Sequence, residues 1–366
     1  MPTRSEWKKL AKETVQGVRA GDATGIHAAD WRKAVRVFLA EHRDEIDAEP
    51  RRFRRSLKRA NALSFGMIRR LTPVRRVLLV AGVLCAFFGI VFRDTFFSLA
   101  AVFLLLVLVA LELVDKLHFR DELLMARDLQ ADLVPAALPR TPHWELAGFN
   151  RVANTVGGDL YDFAPLPDGR LVVLFGDASG HGMAAGLLMV VTQSAFRTQI
   201  DSDPSPAAVA VALNRMLCRT GACRTSGPRA FFSGVVMLLS PDGAWSAVVA
   251  GHPPVLRLTP EGRVAERIGT GAYPFGVREK GEWTTFEGAL DPGETLLFYS
   301  DGLPEARSAT GEEFGDARAE AVAAQAFATP SLLVASLSDE LRRFLGAEPP
   351  EDDISIAAIR RRMPAS

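Results

Sequence analysis

Three aspartates border one apolar run in the stretch GGDLYDFAPLPDGRLVVLFGDASGHG, residues 157–182. Asp159 and Asp162 precede the run LVVLFG, and Asp177 follows it directly. Carboxylates that crowd together at a strand end repel one another and lose hydration, and a bound cation offsets that cost. Asp and Gly also favour turns, so ordinary turn aspartates are the alternative interpretation. This stretch alone leaves both interpretations open.

Two further places in the chain repeat the pattern of an acid beside an apolar run. Asp301 directly follows TLLFYS, and Asp352 and Asp353 directly precede ISIAAI. If these runs are strands, the acids lie at strand ends, where they can form one cluster. A cluster of oxygen ligands favours Mg²⁺ or Mn²⁺ over zinc or copper. Two such ions can activate a water and bind the oxygens of a phosphoryl group. The flanking glycines permit close backbone approach, so a carbonyl can also ligate.

Particular residues argue against other classes of enzyme and metal site. In GDASG the serine is displaced by one position from the G-x-S-x-G nucleophile elbow of serine hydrolases. The sequence contains no G-x-x-x-x-G-K-[ST] phosphate loop. Its six histidines are scattered, so a histidine-rich metal site is not expected. GGDLYDF superficially resembles the GGDEF signature of diguanylate cyclases, but the acid after GGD is displaced, and that interpretation leaves the SDG and DD motifs unexplained.

Short β-like runs and helix-like stretches fill the chain from about Glu145 onward. The β-like runs are LVVLFG (171–176), FFSGVVMLL (231–239), WSAVVAG (245–251) and TLLFYS (295–300). The helix-like stretches cover residues 182–200, 204–220 and 331–346. Strands come first, then helices, then strands at antiparallel-type spacing. This order predicts an α+β layered sandwich and not a regular β-α repeat.

The charge of the chain is zero overall but is unevenly distributed. Residues 1–76 contain 19 Lys or Arg against 9 Asp or Glu, and Arg51 to Arg76 holds ten basic residues and no acid. Such a run suggests either nucleic acid or an anionic membrane surface as partner. Two apolar stretches follow at 77–92 and 95–114, which as helices span roughly 24 and 30 Å, close to the thickness of a bilayer core. They favour a membrane and no nucleic acid.

These features predict an organisation in four parts. A basic, helical, cytoplasmic region (1–76) precedes two transmembrane helices (77–92 and 95–114), and a linker helix with a Pro-rich lead-in (115–143) joins them to a catalytic domain (144–362). The positive-inside rule places the N-terminus and the catalytic domain in the cytoplasm, at the inner membrane. A helical hairpin buried in a soluble core is the alternative. The linker helix can form a homodimer or pack on its own domain.

Five strings, in this order along the chain, resemble the metal-dependent protein phosphatases of the PPM type, and more closely their bacterial SpoIIE-like branch: GGDLYDF, GDASGHG, AGHPPVL, YSDGLPEARSATGEEFG and EDDISIAAI. The upstream string ARDLQADLVPAALP is also similar to the lead-in of that branch. The resemblance covers roughly residues 125–360. It implies two central antiparallel sheets flanked by helices, two Mn²⁺ or Mg²⁺ ions at one end, and hydrolysis of phosphoserine or phosphothreonine by metal-activated water without a phosphoenzyme.

The resemblance also implies which residues bind the two ions. The ligands are four carboxylates and one backbone carbonyl: Asp159, Asp177, Ala178 (through its carbonyl), Asp301 and Asp352. The first three hold one ion, and Asp177 bridges to a second ion held with the last two. Asp352 matches the ligand position better than Asp353 does, although reasoning from the residues alone does not separate them. His181 lies four residues after Asp177, where the acid of eukaryotic relatives lies two residues after, so we expect a structural role for it. His252 is expected to be a turn or packing histidine.

The sequence therefore predicts a membrane-anchored serine/threonine phosphatase that faces the cytoplasm. By family analogy its substrate is a phosphorylated regulatory protein, such as an anti-sigma-factor antagonist of the STAS type. The alternative is a catalytically silent membrane scaffold whose PPM-like domain only binds its partner. The complete set of implied metal ligands argues against the scaffold.

Overall fold

The computed structural model divides into two compact units, Met1–Leu117 and His118–Ser366, which are described separately. The residues that it describes are 68, 71–131, 137–153, 156–180, 182–220, 230–269, 271–346 and 349–363. Most of the basic N-terminal region predicted to be helical lies outside the described residues, and so does His181.

Two long apolar helices make up most of the described part of the first unit, and the second helix continues past Leu117 into the second unit. Helix α1 is Pro73–Phe92, and α2 is Thr95–Ala131. Arg93 ends α1 in a left-handed conformation with φ of 51°, and the Asp94 carboxylate accepts a hydrogen bond from the Phe96 amide at 2.7 Å, which caps the start of α2. The expected second span and the expected linker helix are one continuous helix, because α2 does not break at 114.

The two helices approach each other closely through glycines. A Cβ atom on Gly89 would lie 2.5 Å from Ser98 Oγ and 2.9 Å from its amide nitrogen, so a larger residue does not fit there. Near the start of α1, Arg75 forms ion pairs with Asp115 at 2.6 Å and Glu112 at 3.0 Å. Both helices are long and apolar enough to cross a membrane. Only 11% of the most apolar stretch of each helix is buried within the molecule.

The described residues of the second unit form two five-stranded antiparallel sheets. In spatial order, sheet A contains β1 (Trp144–Arg151), β10 (Ile354–Arg361), β9 (Thr295–Tyr299), β6 (Val255–Leu258) and β7 (Val264–Ile268). In spatial order, sheet B contains β2 (Asp159–Pro165), β3 (Leu171–Ala178), β4 (Phe232–Leu239), β5 (Ala244–Ala250) and β8 (Thr285–Ala289).

The two sheets pack face to face and helices cover both outer faces. Aromatic and branched side chains of the two inner faces, including Trp144, Phe175 and Phe298, form the central core. Helices α3 (Met183–Ile200) and α4 (Pro206–Arg219) pack on sheet B, while α5 (Asp316–Ala323) and α6 (Pro330–Leu345) pack on sheet A. The predicted α+β sandwich of antiparallel sheets flanked by helices is confirmed.

Most of the predicted elements are present with small shifts at their ends, whereas several strands were not predicted. The four β-like runs correspond to β3, β4, β5 and β9, and the three helix-like stretches to α3, α4 and α6. Strands β7 and β8 lie at the edges of their sheets and are largely exposed, so neither has the apolar run that reveals a buried strand.

Candidate metal centre

The strand register brings the predicted acids to one end of each sheet. Asp159 at the start of β2 pairs directly with Asp177 near the end of β3 in sheet B. In sheet A, β9 and β10 are antiparallel neighbours. The end of β9, which leads into Asp301, therefore lies beside the start of β10, which follows Asp352.

Hydrogen bonds join these two sheet ends into one site. Ser300, next to Asp301, donates through Oγ to Asp159 Oδ2 at 2.9 Å. The amide of Gly158 donates to Asp353 Oδ2 at 2.6 Å. Both bonds run from one sheet to the loop or strand end of the other, so the structure brings the predicted acids of the two sheets together.

Burial and neighbouring charges raise the pKa of three acids at this end. Burial raises the pKa of Asp177 to about 9, and the charges of its four neighbouring aspartates add to the effect. Burial also raises the pKa of Asp159 to about 8, against hydrogen bonds from Ser300 and Ser355 that lower it. The pKa of Asp301 is raised by burial and then by the charge of Asp352. A cation placed among these groups would remove the penalty for ionising them.

Two observations fit a hard cation beside Asp159 and Asp177. Asp159 Oδ1 is buried and has no hydrogen-bond partner among the described residues, whereas its Oδ2 is satisfied. A Cβ atom on Gly158 would lie 2.5 Å from Asp177 Oδ1 and 2.7 Å from the Ala178 carbonyl oxygen, so these two oxygens face a bare Cα. Carboxylate and carbonyl oxygens are the donors that Mg²⁺ and Mn²⁺ prefer.

The carboxylates lie near one another at this end, but they do not surround a common point. Among the described residues, no group of three His, Cys, Asp or Glu side chains is arranged so as to hold a metal ion. Binding two ions would thus require the side chains to move toward each other, and relief of the mutual repulsion described above would favour that movement.

The neighbours Asp352 and Asp353 have different environments. Asp353 is buried, and its two carboxylate oxygens accept hydrogen bonds from the Ala153 amide at 2.7 Å and the Gly158 amide at 2.6 Å. Asp352 is exposed, and one of its oxygens accepts a bond from the Asp353 amide at 2.8 Å. Since backbone donors already occupy Asp353, this arrangement favours Asp352 as the ligand. Asp353 instead holds the chain segment that leads into Asp159.

Asp162 does not belong to the cluster. It lies opposite Leu174 in the register of β2 and β3, is 0% exposed, and forms an ion pair with Arg197 of α3. Arg197 donates to it through Nε at 2.7 Å, and Gln193 donates at 3.1 Å. The suggestion that a cation lies between all three opening aspartates is therefore wrong for Asp162, whose charge is balanced by an arginine.

His252 packs in the core, as the packing interpretation predicts. Its ring lies edge-to-face with Phe175 at a centroid distance of 5.3 Å, and Nδ1 is 2.8 Å from the Pro253 carbonyl oxygen, to which it donates when protonated. Nε2 is buried with no hydrogen-bond partner among the described residues. Burial lowers the pKa of His252 to about 4, so the imidazole is neutral at physiological pH.

We expect His252 to make the fold sensitive to acid. The folded pKa of about 4 lies below the ordinary value of 6.5, so the unfolded chain binds the proton first and the free energy of unfolding falls as pH drops through this window. Relative to a His252→Asn variant, wild-type stability should fall by roughly 3 kcal/mol between about pH 7 and pH 4. Denaturation followed by tryptophan fluorescence measures this difference. His143→Asn, at a half-buried site just before β1, is the control, and equal pH profiles for wild type and His252→Asn would contradict the prediction.

Reasoning from the sequence missed the two serines that contact this site. Ser300 and Ser355 are buried beside Asp159, and both stand within motifs quoted above, YSDG and DDIS. Each lies within three residues of a predicted ligand along the chain. That position beside a ligand was the available signal.

Two antiparallel sheets packed face to face, with helices on both outer faces, form a PP2C-like fold. Residues 167–362 match the family described as "Stage II sporulation protein E (SpoIIE)". This match covers more than half of the chain, and the chain belongs to the SpoIIE family. The resemblance found in the motifs is confirmed.

Individual relatives agree with this assignment. The chain is 27% identical over 279 residues to Protein IcfG of Synechocystis sp., covering 69% of this chain and 43% of that protein. It is 25% identical over 191 residues to the phosphoserine phosphatase RsbP of Bacillus subtilis, covering 51% of this chain and 46% of that protein. The chain thus spans less than half the length of these two relatives. The SiaA-PP2C domain of Pseudomonas aeruginosa has the same fold, with a TM-score of 0.58, 19% identity, and coverage of 67% of this chain and 98% of that one.

Proposed function

We propose that the chain is a membrane-anchored, Mn²⁺- or Mg²⁺-dependent protein phosphatase that removes phosphate from serine or threonine of a regulatory protein. The observation that carries the proposal is the meeting of acids from both sheets around Gly158, where Asp159 Oδ1 is buried without a hydrogen-bond partner among the described residues. Membership of the SpoIIE family and similarity to a protein named phosphoserine phosphatase support the reaction type.

In this proposal Asp159, Asp177 and the Ala178 carbonyl hold one ion. Asp177 also holds the second ion, together with Asp301 and Asp352. Two ions held there would supply an activated water and would neutralise charge on the phosphoryl oxygens. The protein contributes the placement of the oxygens: Gly158 leaves room beside Asp177, and backbone amides prevent Asp353 from competing for the ions.

We also propose that α1 and α2 anchor the chain in the inner membrane, with both termini in the cytoplasm. Their outer faces are rich in exposed apolar side chains, such as Phe87, Phe96 and Leu106. The basic run from Arg51 to Arg76 would lie against anionic lipid, where each Lys or Arg contributes on the order of 1 kcal/mol. The continuation of α2 beyond the apolar part exposes Leu117 and Met125, and this face suits a homodimer. The partner that the family resemblance implies is a phosphorylated regulator of the STAS type.

The proposal is tested with the full-length protein in detergent micelles. We expect it to hydrolyse p-nitrophenyl phosphate and a phosphoserine peptide in Mn²⁺ and not in EDTA. We expect Asp301→Asn to lower kcat/KM by about 10²-fold or more, because the second ion loses a charged ligand. Asp339→Asn, an exposed acid on α6, is the matched control and should retain activity. Metal binding without turnover would favour the silent scaffold, and failure to bind either ion would overturn the proposal.

A further inference from the structure

Two buried serines connect the sheets beside the candidate metal centre. Ser300 follows β9 and is 1% exposed, and Ser355 lies in β10 and is 0% exposed. Both belong to sheet A or its end, whereas Asp159, which accepts a hydrogen bond from Ser300, begins β2 of sheet B. Because buried hydroxyls need hydrogen-bond partners, each of these serines is expected to bond to neighbouring protein atoms.

The single proton of Ser300 is directed to Asp159. Ser300 Oγ accepts a hydrogen bond from the Ser355 amide at 3.0 Å, which uses one of its lone pairs. It donates to Asp159 Oδ2 at 2.9 Å, whereas its other possible acceptor, the Asp353 carbonyl, is 3.5 Å away. The shorter distance and the charge of the carboxylate both favour donation to Asp159.

Ser355 holds Ser300 from the neighbouring strand. Its amide donates to Ser300 Oγ, and its own Oγ accepts a hydrogen bond from Asn150 Nδ2 of β1 at 3.0 Å. Ser300 is thus held by β10 while its hydroxyl donates to Asp159 in the opposite sheet, and this donor fixes the rotation of the carboxylate plane.

The consequence concerns the other oxygen of Asp159. With Oδ2 held by Ser300, Oδ1 is the oxygen left without a partner among the described residues. We infer that Ser300 is a positioning residue that presents Asp159 Oδ1 to the metal ion and so sets the metal affinity of the site. The inference rests on the proposed function and extends it to a residue that does not touch the ion. Partners of this kind around metal ligands typically change metal affinity by about 10- to 100-fold when they are removed.

A purely structural role makes a different prediction. If Ser300 only joins the two sheets, its loss lowers the thermal stability of the protein but leaves its affinity for metal ions unchanged. If it positions Asp159, its loss weakens metal binding, and a residue that restores the hydroxyl restores the binding. Metal affinity measured without any substrate separates the two roles.

The experiment titrates MnCl₂ alone into the full-length protein in detergent micelles, by calorimetry and by electron paramagnetic resonance of free Mn²⁺. We expect Ser300→Ala to weaken Mn²⁺ binding by about 10-fold or more, and Ser300→Thr to bind within about 3-fold of wild type. Ser300→Cys keeps the volume and a weak donor, so its affinity should lie between those of serine and alanine. Ser338→Ala, a buried serine on α6, is the control and should bind as wild type.

The outcomes separate this inference from the proposed function. If wild type neither binds Mn²⁺ nor hydrolyses phosphoserine peptide, the proposed function fails. If wild type does both and Ser300→Ala binds Mn²⁺ as tightly as wild type, only the inference about Ser300 is overturned. Equal affinities of Ser300→Ala and Ser300→Thr would also overturn it. Should Ser300→Ala fail to fold in EDTA, Ser300→Cys and Ser300→Thr decide the matter, because a positioning role requires them to differ.

Discussion

Asp177→Asn is expected to abolish metal-dependent hydrolysis, with kcat/KM lower by at least about 10³-fold, equivalent to roughly 4 kcal/mol of transition-state stabilisation. In the proposed site Asp177 bridges both ions, so its loss affects the two positions together. Asparagine has the same shape but offers no charge and only one oxygen. Calorimetric titration with MnCl₂ and the rate of phosphoserine-peptide hydrolysis measure the two effects.

The same substitution is expected to stabilise the metal-free protein. Burial and four neighbouring aspartates raise the pKa of Asp177 to about 9, which means that the folded state disfavours its ionised form. The folded state therefore keeps a proton that the unfolded chain releases above the ordinary pKa, and stability falls as pH rises toward 9. Asparagine does not titrate, so the thermal midpoint of the variant in EDTA should be higher at neutral pH and less dependent on pH.

The matched control lies at the other end of the same strand pair. Asp168 is an exposed acid in the turn between β2 and β3, paired with Arg170. Six residues separate the Asp159–Asp177 pair from the Pro165–Leu171 pair, a distance of about 20 Å along the strands. Asp168→Asn should retain metal binding and activity. A fully active Asp177→Asn variant, or one that binds Mn²⁺ as tightly as wild type, would disprove the bridging role.

The strands that form the centre of sheet B were predictable because they are buried on both faces. LVVLFG is a continuous apolar run, and Asp177 stands out because a charge directly follows it. The same reasoning places Asp301 after β9 and Asp352 before β10. A run of apolar residues thus predicts both the strand and the acid's position at the end of that strand.

The sequence interpretation did not separate Asp162 from the acids proposed to bind metal. Residues three apart in a strand point to opposite faces, so Asp159 and Asp162 cannot both face the space between the sheets. Asp159 faces sheet A and Ser300, while Asp162 faces α3 and Arg197. Had the sequence DLYDFAP been assigned as a strand, its alternation would have separated these two acids.

The role of Asp353 depends on contacts that no local pattern contains. Its carboxylate is held by amides of Ala153 and Gly158, about 200 residues earlier in the chain, through a meeting of loops from different sheets. In sequence Asp352 and Asp353 are equivalent acids before the same strand. Only their different burial and hydrogen bonding favour one of them as a ligand.

Gly158→Ala is expected to lower activity by about 10²-fold, because a misplacement of about 1 Å at reacting groups has effects of this size. The added Cβ would lie 2.5 Å from Asp177 Oδ1 and 2.7 Å from the Ala178 carbonyl oxygen, closer than van der Waals contact allows. Two oxygens proposed to bind the same ion would both have to shift. Weaker Mn²⁺ binding in the calorimetric titration should accompany the loss of activity.

The matched control separates crowding from the general cost of replacing a glycine. Gly311 adopts a φ of 84° and has no atom near the position of an added Cβ, so Gly311→Ala strains the backbone without crowding any oxygen. This control should lose about 1 kcal/mol of stability and keep its metal affinity and activity. Gly158, in contrast, does not have a positive φ, so the effect of its substitution comes from the added methyl group itself. If Gly158→Ala binds Mn²⁺ and turns over substrate as wild type does, then the oxygens of Asp177 and Ala178 are not metal ligands in this arrangement.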